Sequence, residues 1–118
     1  MKVVNRIKKS EEFAITIKQG KAFRCPAFVV HVKSNDLGYT RVGLSVSSKL
    51  GNAVTRNRIK RQIRAMVDNL LDYSTSSLDV VIVAKPPFLE NTFNNNKSLL
   101  SELLYVQVGF KKWKEVQN

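Results

Sequence analysis

The chain has a single cysteine, Cys25, so it can form no internal disulfide and no multi-cysteine metal site. A reducing cytoplasm is the expected setting. A single histidine, His31, leaves no histidine cluster and no His-Glu-x-x-His spacing for a metallohydrolase. Glycine is scarce, with 5 residues. Gly51 has neither a partner glycine nor a following Gly-Lys-Ser/Thr, so no phosphate-cradling glycine loop is present. No apolar run approaches the roughly 18 residues of a membrane helix, and no membrane partner is expected. Met1 to Ser10 is basic without an apolar stretch and does not read as a signal peptide. The most telling absence is acid: no Asp or Glu lies between Asp36 and Asp68.

That acid-free interval holds Arg41, Lys49, Arg56, Arg58, Lys60, Arg61 and Arg64. The net charge is +11, and the rest of the chain carries 13 basic against 9 acidic residues. The excess is therefore a local patch rather than a uniformly basic surface. Nucleic acid is the partner such a patch favours, ahead of an anionic membrane surface. A length of 118 residues with 43% hydrophobic composition predicts one soluble globular domain over 1–118, with a frayed tail at about 111–118.

Ser10-Glu11-Glu12-Phe13 predicts a helix start, with Ser10 as N-cap and acids in the first turn. Phe13 and Ile17 repeat at helical spacing, and Gly20 supplies the stop. Phe28 to Val32 and Tyr39 to Val46 read as strands flanking the turn cluster Asn35-Asp36-Leu37-Gly38, and so as an antiparallel hairpin. Ser47 to Val54 reads as a loop, and Thr55 as the N-cap of a long helix to about Tyr73. Asp79 to Ala84 is a continuous apolar run, a strand buried on both faces, ended by Lys85-Pro86-Pro87. Asn94 to Asn96 precede a final helix with Leu99, Leu100, Leu103 and Leu104 on one face. The class is α+β, with a strand–helix–strand unit that implies a parallel pair.

The helix after Thr55 carries the chemistry. Five cations fall within Arg56 to Arg64. At about 100° per residue, Ile59, Ile63, Met66, Val67 and Leu70 form one apolar face. Lys60, Arg64, Asn57 and Arg61 fill the adjoining arc, and Arg58 points elsewhere. Arg56, Lys60 and Arg64 make an i, i+4 stripe of like charge that no acid relieves, at a cost of a few tenths of a kcal/mol per pair. Arg in the first turn also opposes the helix dipole by about 0.3–1 kcal/mol. A sequence that accepts both costs is suited to an anionic ligand, and phosphate or sulfate would satisfy the patch.

The block Gly51-Asn52-Ala53-Val54, Arg56-Asn57-Arg58, Lys60-Arg61 and Arg64 resembles the hallmark of the bacterial ribonuclease P protein subunit. Arg41 to Ser47 with Lys49, Asn5 to Lys9 with Phe13, and Asp79 with Ala84-Lys85-Pro86 extend the resemblance over about residues 5–105. It implies a two-layer α/β sandwich: a small mixed sheet with helices and a left-handed βαβ crossover, as in the ribosomal protein S5 domain 2-like fold. It also implies a division of labour. A catalytic RNA subunit holds the Mg²⁺ and cleaves precursor tRNA, while the protein binds that RNA and the single-stranded 5′ leader. The RNA-binding positions are then Lys49, Asn52, Arg56, Asn57, Arg58, Lys60, Arg61 and Arg64. The leader cleft maps to Phe13, Ile17 and His31. Ile17 and His31 depart from the family's aromatics: isoleucine offers no π-face, whereas the imidazole can stack and can change charge.

Two other readings compete with this one. A ribosomal-RNA-binding protein of similar fold would use the same patch on another RNA. A self-sufficient nuclease would need an acid/base pair or metal ligands, and none is identified. Glu11 and Glu12 serve a helix start, Cys25 has no activating base, and Asp68 with Asp72 lies on a solvated helix face. No cleavage by the protein alone is expected, and no residue is assigned a catalytic role.

Overall fold

A computed structural model describes residues 1–111. Helix α1 (Ser10–Gln19) leads into strand β1 (Lys21–Arg24), followed by β2 (Phe28–Ser34) and β3 (Arg41–Val46). Helix α2 (Ala53–Leu70), strand β4 (Leu78–Ala84) and helix α3 (Phe93–Glu102) complete the regular elements, and a π-helical turn covers Leu103–Val108. The strand order is β1-β2-β4-β3. β3 and β4 are parallel and the other pairs antiparallel, so the sheet is mixed and β3–α2–β4 is the anticipated strand–helix–strand unit.

The expected hairpin of β2 with β3 does not form. β4 lies between them, and β2 makes its hairpin with β1 instead. The reason lies in β4. Val80, Val81 and Ile82 have no exposed surface, so this strand needs a neighbour on each edge and cover on each face. β1 carries too little signal to be read from sequence: Lys21-Ala22-Phe23-Arg24 is a short edge strand with only Phe23 half-buried.

Strand alternation sorts the side chains onto two faces. Val30, Val42, Val80 and Ile82 point to one face, where they meet Ile59, Ile63, Met66 and Val67 of α2 and Leu100 of α3. All five apolar positions expected on the α2 core face are buried. At roughly 1.5–3 kcal/mol for each large side chain removed from water, that face alone outweighs the repulsion along the basic stripe. The opposite face carries α1, docked over β2 and β4. Gly20 permits this approach, because a Cβ there would lie 2.8 Å from the carbonyl oxygen of Val32.

Three helix starts differ from expectation. Ser10 is the first helical residue rather than the cap, a place taken by Lys9. α2 begins earlier than read, because Asn52 caps it: its side chain accepts the Thr55 N–H at 3.0 Å. Thr55 therefore lies inside the first turn, and Gly51, at φ 137°, makes the tight entry, where a Cβ would lie 2.9 Å from the Thr55 methyl group. α3 also starts early, with Thr92 accepting the Asn95 N–H. The run Asn94 to Asn96 therefore lies inside the helix, and Asn96 is buried with its amide donating to the Phe88 carbonyl at 3.0 Å. Apart from Lys111, the expected frayed tail lies outside the described residues.

Candidate nucleic-acid interface

The capping by Asn52 changes the electrostatics at the start of α2. Ala53, Val54 and Thr55 occupy the first turn, which holds no acid, and Arg56 enters only in the second. The expected first-turn clash of Arg with the dipole is thereby corrected, since the dipole effect fades beyond the first turn. The unrelieved cation stripe remains. Arg56, Lys60 and Arg64 are half-buried, Lys60 and Arg64 lining a hollow shared with Arg6 and with Gly43 and Leu44 of β3, and Asn57, Arg58 and Arg61 are exposed. Among the described residues none of these cations lies within 4.0 Å of a carboxylate. The Nε of Arg56 is buried without a hydrogen-bond partner among them, a donor left for a ligand.

Lys49 sits exposed in a 3-10 turn (Ser48–Leu50) just before α2, which replaces part of the expected loop. Asn52 is exposed as well, but its side-chain oxygen is spent on the cap. Its role is thus at least partly to build the helix start.

The second group of predicted residues lies on the α1 face of the sheet. The register aligns Ala22, His31, Val81 and Gly43 in one row across β1, β2, β4 and β3. Phe13 of α1 covers Gly43: a Cβ there would lie 2.4 Å from the phenyl ring. Ile17, one turn along α1, is 39% exposed. His31 is half-buried two strands from Gly43, about 10 Å away at normal strand spacing. Its Nδ1 is buried and unpartnered among the described residues. Burial pushes its pKa below the ordinary histidine value, and Arg24 adds to the shift, so the imidazole is neutral at pH 7. Phe13 and His31 therefore lie on the same side of the sheet, an apolar ring and an uncharged imidazole, with Ile17 exposed one turn further along α1.

An ion-pair network that sequence reading missed fixes α1 in place. Arg41 donates from Nε to Asp79 at 3.0 Å and from Nη2 to Asp79 at 2.7 Å and Glu12 at 2.8 Å. Asn35 donates to Asp79 at 2.8 Å. Burial pushes the Asp79 carboxyl up, and the Arg41 guanidinium and Asn35 amide more than offset this, holding it below the usual range. Hydrogen bonding to Arg41 likewise lowers the Glu12 carboxyl. Glu12 was assigned only to a helix start, and Arg41 only to the basic patch. Their pairing depends on α1 crossing the sheet, which no local pattern announces.

Among the described residues no three His, Cys, Asp or Glu side chains converge as metal ligands. No helix among them is long and apolar enough to cross a membrane. The arrangement offers a cation stripe on one side of β3 and a half-apolar sheet face on the other, fit for phosphates and unpaired bases respectively.

Known proteins share this fold. The family model for ribonuclease P matches residues 1–106. The ribonuclease P protein component of Mesoplasma florum is 45% identical over 105 residues, covering 88% of this chain and 96% of that one. The component from Bacillus cereus is 41% identical over 116 residues, covering 98% of this chain and 100% of its own length. Among solved structures, the Staphylococcus aureus RNase P protein superposes with a TM-score of 0.79 at 32% identity, covering 91% of this chain and 98% of that one. The Thermotoga maritima protein gives 0.72 at 26% identity, with 84% and 94% covered. Family match, near-complete coverage and shared fold agree, and the chain belongs to the ribonuclease P protein component family.

Proposed function

We propose that this protein binds the catalytic RNA subunit of ribonuclease P and the 5′ leader of precursor tRNA, and so promotes removal of the leader. The observation that carries the reading is the stripe Arg56, Lys60 and Arg64, which has no carboxylate partner among the described residues and whose Lys60 and Arg64 lie beside Gly43 and Leu44 of β3. Phosphates of the RNA subunit and of the leader supply the missing counter-charge, with Lys49, Arg58 and Arg61 extending the contact. Asn52 and Asn57 add hydrogen bonds to the RNA. Leader bases lie across Phe13, Ile17 and His31, where the ring and the neutral imidazole give flat surfaces.

Phosphodiester hydrolysis belongs to the RNA subunit in this reading, and the Mg²⁺ is held there. What the chain contributes is charge and position. Its cations lower the repulsion between two RNA strands, and the sheet face holds the leader in line with them. Free phosphate or sulfate occupies the same stripe when RNA is absent. A cytoplasmic ribonucleoprotein is the setting.

The test is cleavage of a 5′-leader precursor tRNA at low Mg²⁺ by a bacterial ribonuclease P RNA alone, the protein alone, and both together. Activity in the mixture only is the expected result. Activity of the protein alone would overturn the division of labour. An inactive mixture, with the protein bound tightly to the RNA, would overturn the assignment to this reaction.

A further inference from the structure

Helix α1 is the least anchored of the three α-helices. It buries one residue, Thr16, against two in α3 and five in α2. Its inward line is Glu12, Phe13, Thr16 and Gly20, and all of these but Thr16 are only half-buried. Ile15 and Ile17 are exposed, so little apolar surface leaves water to hold the helix down. An element with so few buried contacts belongs to the low-stability end of a fold, and individual side-chain pairs then decide where it sits.

The two ends of α1 are held differently. At its end, Gly20 allows close approach to the Val32 carbonyl. At its start, Lys9 occupies the cap position without a side-chain hydrogen bond. Ile7 is pinned to Val42, but the exposed Lys8 and Lys9 separate it from the helix. The first turn is tied to the sheet instead through Glu12, whose Oε2 accepts from Arg41 Nη2 at 2.8 Å. Among the described residues this is the one ion pair between α1 and the sheet. The Thr16 hydroxyl donates to the Glu12 carbonyl at 2.9 Å and links the pair to the buried turn that follows.

The neighbours of this pair belong to the leader face. Arg41 and Gly43 are two residues apart on β3 and so lie on the same side of the sheet. Glu12 and Phe13 are consecutive on α1. Glu12 meets Arg41, and Phe13 covers Gly43. Arg41 is itself fixed, because Asp79 on β4 accepts from both its Nε and its Nη2. The Glu12 carboxylate therefore sets where the Phe13 ring stands over the strand.

We infer that Glu12 is a positioning residue for the 5′ leader: by joining the first turn of α1 to Arg41 it holds Phe13 over Gly43, and it touches no RNA itself. This role rests on the leader reading proposed above. Its sign is opposite to that of simple charge. Removing an acid from a molecule of net charge +11 strengthens its attraction for RNA, whereas displacing the Phe13 ring weakens the hold on the leader. Glu11 supplies the comparison. It lies in the same turn, is exposed, and pairs with no cation among the described residues.

Full-length protein carrying Glu11→Ala, Glu12→Ala or Glu12→Gln, reconstituted with a bacterial ribonuclease P RNA, tests this on precursor tRNAs with leaders of two and ten nucleotides. Glu12→Ala should raise KM for the longer leader about five- to tenfold, the low end of one lost base–aromatic stack. The shorter leader, kcat and affinity for the RNA subunit should be unchanged. Glu12→Gln keeps an acceptor within reach of Arg41 and should recover most of the loss. Glu11→Ala should bind both leaders as tightly as the unaltered protein, or more tightly. In the free protein, the amide resonance of Gly43 should shift in Glu12→Ala and stay in place in Glu11→Ala. Equal KM values in the two alanine variants would overturn the inference. So would a Glu12→Ala defect of equal size on both leaders, or one shared with binding to the RNA subunit, because either is general damage to the fold. A leader defect beside an unmoved Gly43 resonance would overturn it too, because Phe13 would still be in place. An unaltered holoenzyme that binds both leaders equally would remove the leader reading itself, and the positioning role with it.

Discussion

Arg41 has more consequence for this fold than its place in a basic segment suggests. It lies between two carboxylates from different elements, Asp79 on β4 and Glu12 on α1. Removing it strands Asp79, which is only 7% exposed, with one amide partner. Arg41→Ala should therefore destabilise the protein by about 3 kcal/mol, the lower end of the range for a broken buried pair, because the Glu12 side chain is partly in water. Chemical denaturation would read the loss. A change under 1 kcal/mol would show that the network is idle. The same residues set the acid side of the stability profile. Asp79 and Glu12 are held below the ordinary carboxylate range, so their contribution is fully present above the unfolded values and is lost as pH falls through the folded ones. His31 works in the same direction at higher pH. Its folded pKa is lowered, so the unfolded chain takes up the proton first as pH falls below the ordinary histidine value. Stability should decline between pH 7 and pH 5, and less so in His31→Gln. Equal declines in both proteins would show that the imidazole is not desolvated.

The start of α2 and the seat of α1 are each decided by one small residue. Asn52 supplies the cap oxygen for α2, so Asn52→Ala should cost about 1 kcal/mol in thermal or chemical unfolding, and Thr55→Ala less. If Thr55→Ala were the costlier of the two, the cap would have been misplaced. Gly43 seats α1. A methyl group there would meet the Phe13 ring at 2.4 Å, and the ring must move. Gly43→Ala should weaken the binding of long leaders while leaving the salt slope for the RNA subunit unchanged, because α2 is not touched. How much of this was legible in the sequence follows from which contacts are local. The α2 core face, the β4 run and the β3–α2–β4 unit come from periodicity and burial within one segment, and all of them were readable. The order β1-β2-β4-β3 was not, because the chain between Ser34 and Arg41 looks like a hairpin turn whether or not its strands pair. Nothing nearby shows that β4 will take the place beside β2. The cation stripe was readable from spacing alone. Arg6 was not, since its approach to Lys60 and Arg64 requires the N-terminal segment to pair with β3. The caps were misread by one to three residues because Ser10, Thr55 and the Asn94–Asn96 run are all plausible caps, and tertiary packing chose between neighbours.

The charge distribution makes folding and anion binding a single problem. Of the net charge of +11, the acid-free interval supplies seven cations, and five of these crowd the first half of α2 from Arg56 to Arg64. Unfolding spreads those charges apart, so self-repulsion favours the unfolded chain at low ionic strength. Two effects of added salt must then be separated. Any salt screens the repulsion, with a Debye length near 10 Å at 0.1 M. A phosphate or sulfate held between Arg56, Lys60, Arg64 and Arg6 does more, because it binds the folded state and not the dispersed cations of the unfolded one. That second effect follows mass action and reaches about 2.7 kcal/mol at one hundred times the dissociation constant. The unfolding temperature should therefore rise more in sulfate than in chloride at matched ionic strength, and the excess should grow with the logarithm of sulfate concentration. Lys60→Gln and Arg64→Gln separate the causes further. Each lowers the repulsion, so each should be more stable than the unaltered protein in dilute chloride. Each also removes a ligand, so each should gain less from sulfate. The two curves should cross. If the variants stayed above the unaltered protein at every sulfate concentration, the patch would act through bulk repulsion alone, and the stripe would not be a built anion site.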